Sequence, residues 1–148
     1  MADTPARDAP SCCHGAAACV FSKALLAHAA HCGLAQRQSA GEADVLVCAS
    51  PVAHVNCSTL MALMRERAGF ALRLPRPPAP LMHAKSLQLQ CGGLAALRCS
   101  LQTDEADVHE LVGLAHERHR SLMDLPWQRL VDAMVAWQPR RRFRGPGR

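Results

Sequence analysis

Four prolines in the stretch LPRPPAP, at positions 75, 77, 78 and 80, set the first limit on how this chain can fold. Proline lacks an amide hydrogen and clashes with the preceding turn, so no α-helix runs through 74–80. The stretch reads as a stiff extended connector, and helices must lie on either side of it. It also matches a PxxP pattern, but a rigid spacer is the simpler role.

Ahead of the connector, AACVFSKALLAHAAHCGLA has helical periodicity, with Phe21, Leu25, His28, Ala29 and Cys32 on one side. Gly33 reads as its stop, QRQSAGEAD as a loop, and VLVCAS as a short extended lead-in. Ser50 and Pro51 form the cap and first turn of a second helix, whose stripe is Val52, Leu60, Leu63 and Met64, ending near Phe70. Beyond the connector, His83, Leu87, Cys91, Leu94, Leu97 and Leu101 share one helical face. TDEAD caps a fourth helix striped by Val108, Leu111, Val112 and Ala115. Asp124 to Pro126 opens a fifth that carries Trp127, Leu130, Val131 and Met134. Five amphipathic segments with short loops predict a compact all-α bundle. One helical domain is expected over 15–138, between a disordered segment at 1–14 and a disordered basic tail at 139–148.

A chain of 148 residues can bury one real core. With three Phe, two Trp and no Tyr, that core must be built from Leu, Val, Ala, Met and Cys. Five of the 17 basic residues (Arg140, Arg141, Arg142, Arg144 and Arg148) sit at the C-terminal end, and the remaining 12 match the 12 acidic residues. A nucleic-acid face needs basic residues clustered on a folded surface, so RNA is expected only at the arginine tail. No secretory signal is visible in MADTPARDAPSCCHGAAAC, and no segment is apolar for the length of a membrane span. A cytoplasmic protein with reduced thiols is expected.

Eight cysteines are many for such a chain, yet no CxxC pair or zinc-finger spacing occurs. Cys32 and Cys91 fall on apolar helical faces, Cys57 at the edge of a stripe, and Cys48 just before a helix. Each alone reads as a small buried hydrophobe. Together, four thiols from four separated segments can meet in a bundle core, so Cys32, Cys48, Cys57 and Cys91 are the expected metal ligands. All-sulfur ligation suits an iron–sulfur cluster first and zinc second. Cys19 points away from its stripe, Cys99 lies off the Cys91 face, and Cys12 and Cys13 belong to the N-terminal segment. His28 with Cys32, and His54 with Cys57, have spacings that share a helical face, but chance pairs are common among eight His and eight Cys. CCH at 12–14 could hold a soft metal only without preset geometry, and His109, His116 and His119 fall near a polar face.

Gly92 and Gly93 pose a separate question, because each glycine inside a helix costs roughly 1 kcal/mol relative to alanine. A helix broken there would put Gly92 in the left-handed region and turn free N–H groups toward a cluster sulfur. That reading makes Gly92 and Gly93 candidate cofactor-binding residues. A continuous helix would instead use them to admit a close neighbour. No P-loop, G-x-G-x-x-G, G-x-S-x-G or H-E-x-x-H motif accompanies them, which disfavours an enzyme. The expected function is a small metal-binding accessory protein for electron transfer, sensing or assembly of a larger enzyme, with a protein partner. The alternative is a metal-free helical adaptor whose arginine tail meets an acidic partner or RNA. Deleting 139–148 should leave the melting temperature nearly unchanged and weaken polyanion binding, most of all at low salt. A large fall in melting temperature would mean that the tail docks on the domain.

Overall fold

A computed structural model describes residues 17–76 and 79–139. The predicted disordered segment at 1–14, with Cys12, Cys13 and His14, lies outside the described residues, as does the arginine tail from 140 onward. The described elements are α1 (Ser22–Leu26), β1 (Ala35–Ala40), β2 (Ala43–Cys48), α2 (Pro51–Ala68), α3 (His83–Leu87), a π-helical turn (Gln88–Gly92), α4 (Gly93–Ser100), α5 (Val108–His119), a 3-10 turn (Leu122–Asp124) and α6 (Trp127–Ala136). The protein is mostly helical, but a two-stranded antiparallel sheet makes it less than all-α.

The first helix is far shorter than its periodicity suggests. α1 ends at Leu26, and His28 takes a left-handed conformation with φ 58°. The Ala29 N–H donates across that turn to the Ala24 carbonyl at 3.0 Å, which closes the helix end. Upstream, residues 17–19 pair with β2 instead of joining the helix. Tertiary pairing overrides the helix propensity of an Ala-rich stretch.

The expected loop at QRQSAGEAD is a hairpin. Its register runs from Ala35 opposite Cys48 to Ala40 opposite Ala43, leaving Gly41 and Glu42 as a two-residue turn. Gly41 has φ 70°, the left-handed value that such a turn requires at its first position. β1 reads AQRQSA and has no apolar alternation to mark it as a strand. The lead-in VLVCAS supplies the end of β2.

The later helices follow their caps and stripes. Ser50 Oγ accepts the Ala53 N–H at 3.2 Å and Pro51 opens α2, whose Leu60, Leu63 and Met64 are buried. Val52 and Phe70, expected on the same stripe, are 72% and 89% exposed. Asp107 caps α5 by accepting the Glu110 N–H. Trp127, Leu130, Val131 and Met134 of α6 are all buried, and Trp127 Nε1 donates to the Leu122 carbonyl at 3.0 Å.

The helix is not broken at the glycine pair. Gly92 (φ −64°, ψ −40°) and Gly93 (φ −64°, ψ −45°) are both right-handed helical residues, so α3, the π-helical turn and α4 run on without interruption. No new helix start offers its N–H groups to Cys91. The glycines are there for contact. A Cβ on Gly93 would stand 2.6 Å from Met64 Sδ, and one on Gly92 would stand 3.1 Å from Trp137 Cβ. The wider π-helical turn shifts the phase of the helix, which buries Leu89 outside the predicted stripe and leaves His83 exposed.

Two glutamines of this turn hold neighbouring helix ends. Gln88 Nε2 donates to the carbonyls of Met134 and Val135 in the last turn of α6, at 3.1 and 3.4 Å. Gln90 Oε1 accepts the Ala24 N–H of α1 at 3.1 Å. The Met134 carbonyl also accepts the Trp137 N–H at the end of α6, at 3.3 Å, so Gln88 adds a second donor there. Gly93→Val should cost about 1–3 kcal/mol by overpacking against Met64, measured by urea denaturation. Gly92→Ala, which would stabilise an unobstructed helix by up to about 1 kcal/mol, should bring no gain. Trp127→Ala should cost about 3–5 kcal/mol, and an unchanged stability would place that face outside the core.

Candidate functional site

Four thiols from four separate segments line one cavity: Cys19, Cys32, Cys48 and Cys57. Backbone pairing, rather than helix faces, brings the first three there. Residues 17–19 run along the edge of β2 that β1 leaves free. The Cys19 N–H donates to the Leu46 carbonyl and the Cys48 N–H to the Ala17 carbonyl, both at 2.9 Å. Alternate residues of an antiparallel strand turn their amides to opposite edges, which is why Leu46 and Cys48 serve this side.

Cys32 lies past α1 in a segment fastened to the start of α5. The His31 N–H reaches the Ala106 carbonyl at 3.0 Å, and the Val108 N–H reaches the His31 carbonyl at 2.8 Å. Asp107 Oδ2 accepts the Gly33 N–H at 2.8 Å while its Oδ1 caps α5 at 3.1 Å. Cys48 ends β2, and its thiol donates to the Ser50 carbonyl at 3.3 Å. Cys57 sits on α2 one turn beyond the buried Ala53 and one before Leu60.

The cavity measures about 20 Å³, and Val20, Ala35, Ala53 and Val108 complete its apolar wall. That is room for one water-sized species. All four cysteines are free and half-buried. Structural cysteines that act as hydrophobes are usually fully buried, so their shared, partly open position sets these four apart.

Burial makes Cys57 and Cys19 weak acids. Burial pushes Cys57 up from 9.0 to about 12, with further contributions from Cys19, Cys32, Cys48 and Asp107. Cys19 is also raised, mainly by burial; a hydrogen bond from the Phe21 amide opposes the shift, and Cys32 and Cys48 add to it. A thiolate at Cys57 or Cys19 is disfavoured first by burial and then by the neighbouring thiols, unless a cation joins them.

His54 and His109 also line the cavity. His54 Nε2 lies 3.1 Å from the Ala18 carbonyl, which can only accept, so this nitrogen carries a proton. Its Nδ1 meets Ser58 Oγ at 3.4 Å, and both nitrogens are engaged. Among the described residues, no three His, Cys, Asp or Glu side chains are already gathered as a metal cage.

Cys32, Cys48 and Cys57 therefore share a cavity as expected, but Cys91 does not join them. It is buried on the long helix and lines a different cavity with His28 and Arg98. Gly92 and Gly93 pack against Trp137 and Met64, away from the four thiols. His28 and Cys32 do not share a helix, because α1 stops before either of them. Cys99 is exposed. His109 is exposed as expected, whereas His116 Nε2 is buried without a partner among the described residues.

Cys19 is the residue that sequence reasoning missed. A continuous helix would turn it away from the apolar stripe, but no helix forms at 17–19. No local pattern marks it, because AACVF lacks strand alternation and its pairing with β2 is made by tertiary hydrogen bonds.

No family model, curated protein or solved structure matches this chain.

Two measurements probe the pocket directly. At pH 8, a thiol with a pKa near 12 is thiolate only to the order of one part in ten thousand, so Cys57 should alkylate far more slowly than the exposed Cys99 in mass-spectrometric mapping. In the unfolded chain Cys57 loses its proton near 9, whereas the folded protein holds it to about 12. Over that range the unfolded state binds fewer protons, so stability should fall as pH rises above 9. Cys57→Ser should flatten that fall in denaturation curves taken at successive pH values.

Proposed function

We propose that Cys19, Cys32, Cys48 and Cys57 bind one soft metal ion, zinc foremost, and that the protein acts as a metal-dependent accessory or sensing protein. The observation that carries this reading is the convergence of four free thiols on a single 20 Å³ cavity. Zinc takes four thiolates tetrahedrally at about 2.3 Å and needs little more space than one water. An iron–sulfur cluster, the first choice on sequence grounds, needs a larger chamber. Binding requires the thiols to turn inward and Cys48 to release the Ser50 carbonyl.

The ion would supply the positive charge that these crowded thiols lack. It would also tie residues 17–19, the segment after α1, the hairpin and α2 at one point, so metal binding would add to folding stability. Zinc carries no electrons, which favours sensing or assembly over electron transfer. A metal-free adaptor is the second reading, and it has its own support: Val52 and Val55, one turn apart on α2, are 72% and 61% exposed.

Titration of the reduced, metal-free protein with Co(II), followed by competition with Zn(II), tests the proposal. One ion per chain with a thiolate-to-cobalt absorption band is expected. Cys19→Ser and Cys57→Ser should each weaken binding by at least about tenfold, while Cys91→Ser and Cys99→Ser should leave it intact. Affinity should rise with pH, because each bound thiolate releases a proton. Visible iron–sulfur absorbance in anaerobically purified protein would favour the cluster. Absence of any bound metal would favour the adaptor.

A further inference from the structure

The neutral charge sum of the chain ahead of its arginine tail conceals a local excess. Between Asp44 and Asp104 the only acidic residue is Glu66, while Arg65, Arg67, Arg73 and Arg76 crowd into the end of α2 and the turn beyond it. Arg67, Arg73 and Arg76 are exposed, and Phe70 stands among them with 89% of its surface open. Phenylalanine is ordinarily an interior residue, and Phe21 of this chain is fully buried. In a core so short of aromatics, one of them is spent on the surface, between arginines.

The turn that presents these side chains is fixed. The Leu72 N–H donates to the Ala68 carbonyl at 2.9 Å, which carries the helical path past the end of α2. The Leu74 N–H then reaches the Gly69 carbonyl at 2.8 Å and the Arg73 N–H the Phe70 carbonyl at 3.2 Å, around a left-handed Arg73 with φ 56°. That pair of bonds is the Schellman ending of a helix, in which glycine is the usual left-handed residue. Here the position carries a guanidinium instead. Leu72 and Leu74 are buried in the core and pin the turn from beneath, while Phe70 and Arg73 stay outside.

Beside the turn, a groove of about 630 Å³ runs between α2 and the proline connector, with Ala62, Gly69, Leu74 and Pro75 as its apolar walls. Arg76 Nη2 lies 3.6 Å from the place a Cβ on Gly69 would take, so this guanidinium rests over the helix end. Arg65 is already engaged, because its Nη2 donates to the Ala79 carbonyl and ties the connector to α2. Glu66 is the one carboxylate lining the groove.

We infer that this surface binds single-stranded RNA, with Arg67, Arg73 and Arg76 on phosphates and a base stacked on Phe70. Guanidinium groups match phosphate oxygens with paired hydrogen bonds. A free aromatic face takes any base, provided that the base is not already stacked in a duplex. An acidic peptide would satisfy the arginines but bring no flat partner for the ring. Glu66 favours RNA over DNA, since a carboxylate repels phosphate but accepts a hydrogen bond from a ribose 2′-OH. The C-terminal arginines would add attraction to any polyanion, without this preference.

A fluorescein-labelled oligouridylate, titrated with the full-length protein at low salt while anisotropy is recorded, tests the assignment. Saturable binding is expected, and Phe70→Ala should weaken it at least about fivefold. Arg73→Gly should also weaken it and lower the slope of log affinity against log salt by about 0.7. Because glycine suits the left-handed position, the melting temperature of Arg73→Gly should be unchanged or higher, which separates lost binding from lost folding. Unchanged affinity in both variants would leave all binding to the C-terminal arginines and overturn the site, as would no binding at all. Competition by polyglutamate equal to that of unlabelled oligouridylate would assign the surface to an acidic protein instead. Equal competition by oligodeoxyuridylate would overturn the role of Glu66 and with it the choice of RNA.

Discussion

Much of this fold depends on how closely three helices approach at Gly92 and Gly93. At these two positions the long helix has no side chain, and Met64 of α2 and Trp137 after α6 fill the space. Any larger residue would push α2 or α6 outward. The π-helical turn that ends at Gly92 directs Gln88 and Gln90 sideways, where they reach backbone groups at the ends of α6 and α1. Steric closeness and polar satisfaction are thus supplied by one short run, LQLQCGG. With few aromatic residues to fill gaps, the core gains its density by bringing backbones together.

The thiol pocket is built on a different principle. Only Cys57, on α2 between the buried Ala53 and Leu60, rides on a packed helix. Residues 17–19 are pinned to a strand edge, Cys32 to the beginning of α5, and Cys48 to the junction between the hairpin and α2. Backbone hydrogen bonds at a partly open surface open more readily than packed helices do. Three of the four thiols therefore sit on segments fixed mainly by backbone hydrogen bonds, and a bound ion would tie those segments to the packed α2.

The helices with strong punctuation were legible in the sequence. Ser50-Pro51 and the acidic stretch ending at Asp107 mark starts that the structure keeps, and the α6 stripe is buried residue for residue. The hairpin was hidden because AQRQSA lies on the surface and has no apolar face to alternate. α1 was overestimated because helical periodicity continues through residues that β2 recruits. The same tertiary pairing explains the one exchanged thiol: Cys19 reaches the pocket on a strand edge that helical periodicity hides, while Cys91 is buried on a helix that borders another cavity. Cys48 and Cys57 could be placed because the helix start between them is unambiguous. For the glycine pair, a close contact and a broken helix leave the same trace in a single sequence.

Asp107 narrows what this chain can tolerate in a way that its role as a helix cap conceals. Serine, threonine and asparagine cap helices well, but each offers a single side-chain oxygen as a strong acceptor at such a position. Here two amides wait, Glu110 inside α5 and Gly33 beside Cys32, and each takes its own carboxylate oxygen. A replacement that keeps the helix end would release the strand segment, and one long enough to reach Gly33 would misplace the cap. Position 107 is thus a joint with two sockets, closed to most of the residues that ordinarily interchange at a helix start.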